Sequence, residues 1–177
     1  NTTQNVINIC AAARDRGGKK IKYMHDTHGP FVRLRRPSNK LPGWGRIVEI
    51  CADECSNLGV VAQDEFSNVT VIRITQSDDW CNPNTVKWVS DQVTKYPGIS
   101  IHGSLPCTPW TSWQMMNVFK KGEQYWEDLG KRRTTSRKML ESFIHVAAQV
   151  LYNGGEVSFE WPHNCSGWLL PELNAFV

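Results

Sequence analysis

No stretch of the 177 residues approaches the ~18 consecutive apolar positions that a membrane-spanning helix needs. No membrane partner is therefore expected. The chain has no basic-then-apolar leader, and it opens on Asn1 rather than Met. A fragment or processed product is expected, from which targeting segments have been removed. No tight Cys-x-x-Cys pair is present, which removes the commonest zinc and redox spacing. There is no internal repeat and no low-complexity tract.

What is present suits a single soluble-type core. Hydrophobic residues make up 40% and charged residues 21%, ordinary values for a domain that builds its own interior. The six cysteines stand apart, at 10, 51, 55, 81, 107 and 165. Their even number and three glycosylation triplets (at Asn1, Asn68 and Asn164) fit a secreted disulfide framework. A chain of this length does not need one, so reduced thiols in an intracellular protein, nuclear or cytoplasmic, are the expectation.

Charge is unevenly placed. Residues 1–46 hold ten basic and two acidic side chains, a net of +8, against −5 for the rest. A basic arm on a mildly acidic body points to a polyanionic partner, nucleic acid first, with Arg33, Arg35 and Arg36 in contact. The plainer alternative is a solvated linker whose cations rest on the acidic body. The arm, residues 1–43, is set apart as an extension, with an edge strand at Phe31–Arg35 and a Pro/Gly-rich stop at 36–43. The compact body is expected at 44–177.

Within the body, strand and helix signals alternate. Arg46–Cys51 is β-rich, and Ser56–Gln63 reads as a short helix with Ser56 as N-cap. Val69–Ile74 is apolar on both faces, as a buried parallel strand would be. Asn82-Pro83 opens a helix with Val86, Val89 and Val93 on one side, and Ile99–Leu105 is the next strand. Leu140, Phe143, Ile144, Ala147 and Leu151 give a helix over Thr134–Tyr152, with Arg137 pairing Glu141 one turn on. Asn153-Gly154-Gly155 stops it, and Glu156–Glu160 alternates as a last strand. The order predicts an α/β, Rossmann-like three-layer domain with a mostly parallel central sheet.

Ligands of such sheets bind beyond the carboxyl ends of the strands. The four segments found there are 51–56, 75–80, 106–110 and 160–165. All are rich in polar, reactive or aromatic side chains. Glu49-Ile50-Cys51-Ala52, then Asp78 or Asp79, then Leu105-Pro106-Cys107, then Phe159-Glu160-Trp161-Pro162 resemble, in that order, the motifs of S-adenosylmethionine-dependent methyltransferases. The nearest are the cytosine-C5 DNA methyltransferases. The resemblance spans roughly residues 46–170. It implies S-adenosylmethionine as cofactor, held around Glu49, Cys51, Ala52, Asp53, Asp78, Asp79 and Pro106. It also implies Cys107 as the nucleophile toward carbon 6 of cytosine and Glu160 as the acid at ring nitrogen 3. Where the family's first turn has glycines this chain has Asp53 and Cys55, and Trp161 follows the glutamate, so a degenerate cofactor turn is expected.

Each sharp reading has a plain counterpart. Cys107 is a nucleophile or a small buried cysteine. Trp110 and Trp113 stack on bases or pack in the core. Lys131, Arg132 and Arg133, placed at the start of the predicted 134–152 helix where they oppose its dipole, meet phosphate or the neighbouring acids Glu127 and Asp128. Cys51, Cys55, Cys107, His163 and Cys165 share one sheet edge and raise a zinc reading; no metal is the preferred expectation. The rival to an enzyme is a non-catalytic Rossmann-like module of a larger polyprotein that binds nucleic acid or protein.

Overall fold

In the computed structural model of the protein, the described residues are 4–7, 41–58, 60–61 and 69–176. The expected strand at Phe31–Arg35 and the arginines 33, 35 and 36 lie outside them. The described residues form five strands: β1 (Gln4–Ile7), β2 (Arg46–Ile50), β3 (Thr70–Ile74), β4 (Ser100–Gly103) and β5 (Val157–Pro162). They make one sheet in the order β1-β5-β4-β2-β3. The β2–β3, β2–β4 and β4–β5 pairs are parallel. Four residues of the expected N-terminal extension, β1, pair antiparallel with β5. The chain steps outward from β2 to β3, then back past β2 to β4, so the strand order switches between β2 and β4. This is a Rossmann-like α/β arrangement with four parallel strands.

The helices are α1 (Pro83–Lys95), α2 (Trp113–Lys121), α3 (Glu123–Tyr152) and α4 (Pro171–Phe176). Asn82 caps α1, its side-chain oxygen accepting from Asn84 N at 2.9 Å, with Pro83 at the first helical position. Val89 and Val93 turn into the core as the spacing predicts. From the sheet, Val48, Ile50, Ile101, Val157, Phe159 and Trp161 enter the same cluster, and from α3 come Leu140, Phe143, Val146, Ala147 and Val150. Aromatic rings continue the packing: Phe143 to Phe159 at 5.2 Å, Phe159 to Trp161 at 4.9 Å, and Trp161 to Trp168 at 5.8 Å between centroids. Gly103 is required here, because a Cβ would stand 2.5 Å from the Phe143 ring.

Three sequence expectations change. The long helix begins at Glu123, eleven residues before Thr134, and Gly122 with φ 78° separates it from α2. Lys131–Arg133 are thus inside a helix rather than at its start, and the proposed conflict with the helix dipole disappears. Arg137 pairs with Glu172 of α4, not with Glu141. Strand β3 lies at the sheet edge and is only partly buried, because β2 is its sole neighbour in the order.

Helix α2 reverses the usual distribution. Its buried side is polar: Gln114 donates to Thr108 O at 2.9 Å and accepts from the Tyr125 hydroxyl at 2.6 Å, and Asn117 Nδ2 donates to that hydroxyl at 3.3 Å. Its outer side shows Trp113 (67% exposed), Met115, Met116 and Phe119 (92% exposed).

Candidate functional site

Side chains alternate across a strand, so the residues between the core positions share the opposite face. Register brings four of them into one row: Arg73 of β3 beside Glu49 of β2, Glu49 beside His102 of β4, and His102 beside Ser158 of β5. Glu160 stands two residues along β5 on the same side. A parallel sheet normally has apolar residues on both faces; this one has two carboxylates, a guanidinium and an imidazole.

The row is held by specific contacts. Glu49 is 1% exposed; it accepts from the Ser56 hydroxyl at 2.7 Å and lies 3.2 Å from Arg73 Nε. Ser56, expected to cap a helix, thus directs its proton to the sheet; Asn57, Leu58, Val60 and Val61 after it are helical, and residues 62 and 63 lie outside the described residues. His102 Nδ1 meets the Ser158 hydroxyl at 2.8 Å, and its Nε2 lies 3.9 Å from Glu160 Oε1. The Ser104 hydroxyl, just past β4, donates to that same Glu160 oxygen. Burial lowers the His102 pKa, and the nearby Glu160 and Glu49 carboxylates oppose that shift. The net shift is downward, toward the neutral imidazole.

The rim at the strand ends has a different character. Cys51, directly after β2, adopts a left-handed backbone with φ 58°, the conformation for which glycine is the usual residue. Burial, reinforced by Cys81, pushes its thiol up to about 12. Ala52 N donates to Ile74 O at 3.2 Å, tying the turn to β3. Asp53 Oδ1 accepts from Cys55 N, Asp78 Oδ2 from Thr75 N and its hydroxyl, and Asp79 Oδ1 from Cys81 N. Each of these three acids has one oxygen engaged in its own turn. A cavity of about 360 Å³ opens beyond β3, lined by Arg73, Ile74, Asp78, Asn84, Thr85 and Trp88.

Cys107 and Glu160 stand at or just beyond the carboxyl ends of neighbouring strands, in different surroundings. Glu160 belongs to the polar row. Cys107 is half-buried against the hydrophobic core and opens the 3-10 turn Thr108–Trp110. Burial raises the Cys165 pKa, a backbone hydrogen bond from Gly167 lowers it, and Cys107 nearby raises it. Pro106 is exposed, and Leu105 before it is buried.

Trp110 is a core residue: it is 6% exposed, its indole N–H donates to Ser136 at 2.8 Å, and the Arg133 and Arg137 guanidinium groups lie over its ring at 5.2 and 5.8 Å. It is not free to stack on a base. Trp113 is exposed. Lys131 pairs with Asp128 at 3.6 Å, Arg132 lies 5.1 Å over Tyr125, and Arg133 donates to Pro109 O at 3.1 Å. Each of the three has a partner within the fold, Asp128 for Lys131, Tyr125 for Arg132 and Pro109 O for Arg133. The cysteines fall into separate neighbourhoods, Cys51 with Cys81 and Cys107 with Cys165. Cys51, Cys55, Cys81, Cys107 and Cys165 are free thiols. Among the described residues no three His, Cys, Asp or Glu side chains gather as a metal would require.

Sequence reasoning missed Arg73, His102, Ser104 and Ser158. The signal was available in the alternation Ser100-x-His102-x-Ser104 and Ser158-x-Glu160, two polar sides of strands otherwise apolar.

Fold and site define a Rossmann-like α/β domain with a polar sheet face and a cysteine-bearing strand-end rim. No family model, curated protein or solved structure matches the chain. Among the described residues no helix is long and apolar enough to cross a membrane.

Proposed function

We propose that the chain is a methyltransferase-like domain acting on nucleic acid, with Cys107 adding to carbon 6 of a cytosine and Glu160 managing the proton at ring nitrogen 3. The observation that carries this reading is the order of groups on paired strands: Pro106-Cys107 follows β4, and Glu160 lies on β5, parallel to it. S-adenosylmethionine, when bound, supplies the methyl group for carbon 5. The residues at the end of β3 suit its nucleoside half: Asp78 Oδ1 for ribose hydroxyls, the half-exposed Trp88 ring for adenine, and Arg73 as a nearby cation. The left-handed Cys51 gives the first turn the backbone that glycine gives in the family. Asp53 and Glu54 are poorly suited to the methionine carboxylate.

In this reading Cys107 bonds to carbon 6, electron density moves onto nitrogen 3, and Glu160 supports the proton there. Carbon 5 becomes nucleophilic; loss of its proton after methylation expels the thiolate. A cytosine carrying fluorine at carbon 5 cannot lose that proton, so the adduct persists. We expect a denaturant-resistant adduct on 5-fluorocytosine oligonucleotide in the presence of S-adenosylmethionine, abolished by Cys107→Ala. No adduct, together with no calorimetric heat at millimolar S-adenosylmethionine, overturns the catalytic reading.

A second reading is favoured by one observation, the outward apolar side of α2. Under it the chain is a non-catalytic nucleic-acid- or protein-binding module of a larger polyprotein. Salt-dependent binding to nucleic acid with no affinity for S-adenosylmethionine selects it.

A further inference from the structure

Glu160 does not stand alone on its face, and its neighbours suggest how its carboxyl is set. A carboxylate at 3.9 Å from His102 Nε2 is at ion-pair range, outside direct hydrogen-bond reach. A neutral imidazole has one N–H and one lone pair. With the carboxylate on the Nε2 side, the favourable tautomer carries its proton on Nε2. Nδ1 then accepts from the Ser158 hydroxyl at 2.8 Å. The Ser104 hydroxyl approaches the same Glu160 oxygen from the end of β4. Beyond His102, from β2, lies Glu49, already paired with Arg73 of β3 and bonded by Ser56. Thus, among the described residues, the groups facing the imidazole are Glu160 and Ser158 from β5 and Glu49 from β2. The Glu160 carboxylate selects the ring's tautomer, Ser158 holds the ring at Nδ1, and the ring in turn directs Glu160.

We propose that His102 is a positioning residue for Glu160, with Ser158 holding the ring at Nδ1 and Ser104 sharing the carboxylate. The proposal rests on the reading of Glu160 as the acid of the reaction above. It deepens that reading by naming what holds the acid in place. Two consequences follow from the geometry. Removing the Glu160 charge lowers the His102 pKa, since a carboxylate at this range favours the imidazolium. Removing the imidazole frees the Glu160 carboxyl to rotate, which slows a reaction that depends on its direction.

The test uses the full chain and two readouts. By NMR, the His102 ring nitrogens are titrated in wild type, Glu160→Gln and Ser158→Ala. We expect the Nε2–H tautomer in wild type and a titration midpoint lower by about one unit in Glu160→Gln. In Ser158→Ala, where the carboxylate keeps its place beside Nε2, we expect the Nε2–H preference to persist. An unmoved midpoint in Glu160→Gln overturns the pairing. In the second readout, the pH profile of adduct formation on 5-fluorocytosine oligonucleotide is followed. His102→Ala is expected to lose at least about tenfold in rate, and His102→Gln, which keeps an N–H donor at similar reach, to recover most of it. Equal rates for wild type and His102→Ala overturn the positioning role. If wild type forms no adduct, the reaction itself falls, and the NMR titration alone decides whether His102 and Glu160 are coupled.

Discussion

On one side of the sheet, Val48, Ile50, Ile101, Phe159 and Trp161 meet α1 and α3 in a continuous apolar core. On the other, the same strands present Arg73, Glu49, His102, Ser158 and Glu160. Neighbouring residues on one strand thus answer to two different kinds of energetics. The core side is stabilised by area removed from water and by close packing, which tolerate hydrophobic exchange of equal volume. The polar side depends on pairwise partners, where removing one member leaves the other buried without compensation. The first builds the domain; the second holds the paired charges of the sheet.

The contrast can be broken from either side. The largest loss is expected for Phe159→Ala, whose ring contacts both Phe143 and Trp161. Denaturant unfolding should show a loss of about 3–5 kcal/mol. Next comes Glu49→Ala, which strands Arg73 and the Ser56 hydroxyl; about 2–3 kcal/mol is expected by the same measurement. The double change Glu49→Leu with Arg73→Met should recover most of that loss, because it removes both charges together. A double variant no more stable than Glu49→Ala would mean that the pair is not the source of the cost. The smallest effect is expected on α2. Phe119→Ser removes a ring that is 92% exposed, and thermal unfolding should move by no more than about 0.5 kcal/mol. A larger loss would show that this helix face is covered in the native protein.

Much of the core side was legible in the residues. Asn82-Pro83 with Val89 and Val93 gave α1 its start and its buried face, and Leu140, Phe143 and Ala147 gave the packed part of α3. Periodicity succeeds there because a repeated apolar position means repeated contact with one core. It failed for α2 and the first turns of α3. In α2 the buried side is Gln114 and Asn117 bonded to Tyr125, while Trp113, Met116 and Phe119 face outward. A pattern of apolar residues cannot distinguish a stripe that meets a core from one that meets solvent. The rim was legible as a set of segments, since strand ends follow from strand order. The partners of each side chain were not: that the Trp110 indole meets Ser136 and lies under two guanidinium groups came only from the fold.

Residue order alone was enough to set the alternation of strands and helices, the parallel pairing that alternation demands, and the nearness of Pro106-Cys107 and Glu160 to strand ends. These follow from local periodicity and chain connectivity, which act over a few residues at a time. Strand pairing in three dimensions was needed to put Arg73, Glu49, His102 and Ser158 in one row, and to set Cys107 but not Glu160 against the core. Strand register and the choice of neighbouring strands join residues dozens of positions apart, and a one-residue slip would have turned every one of these side chains to the other face.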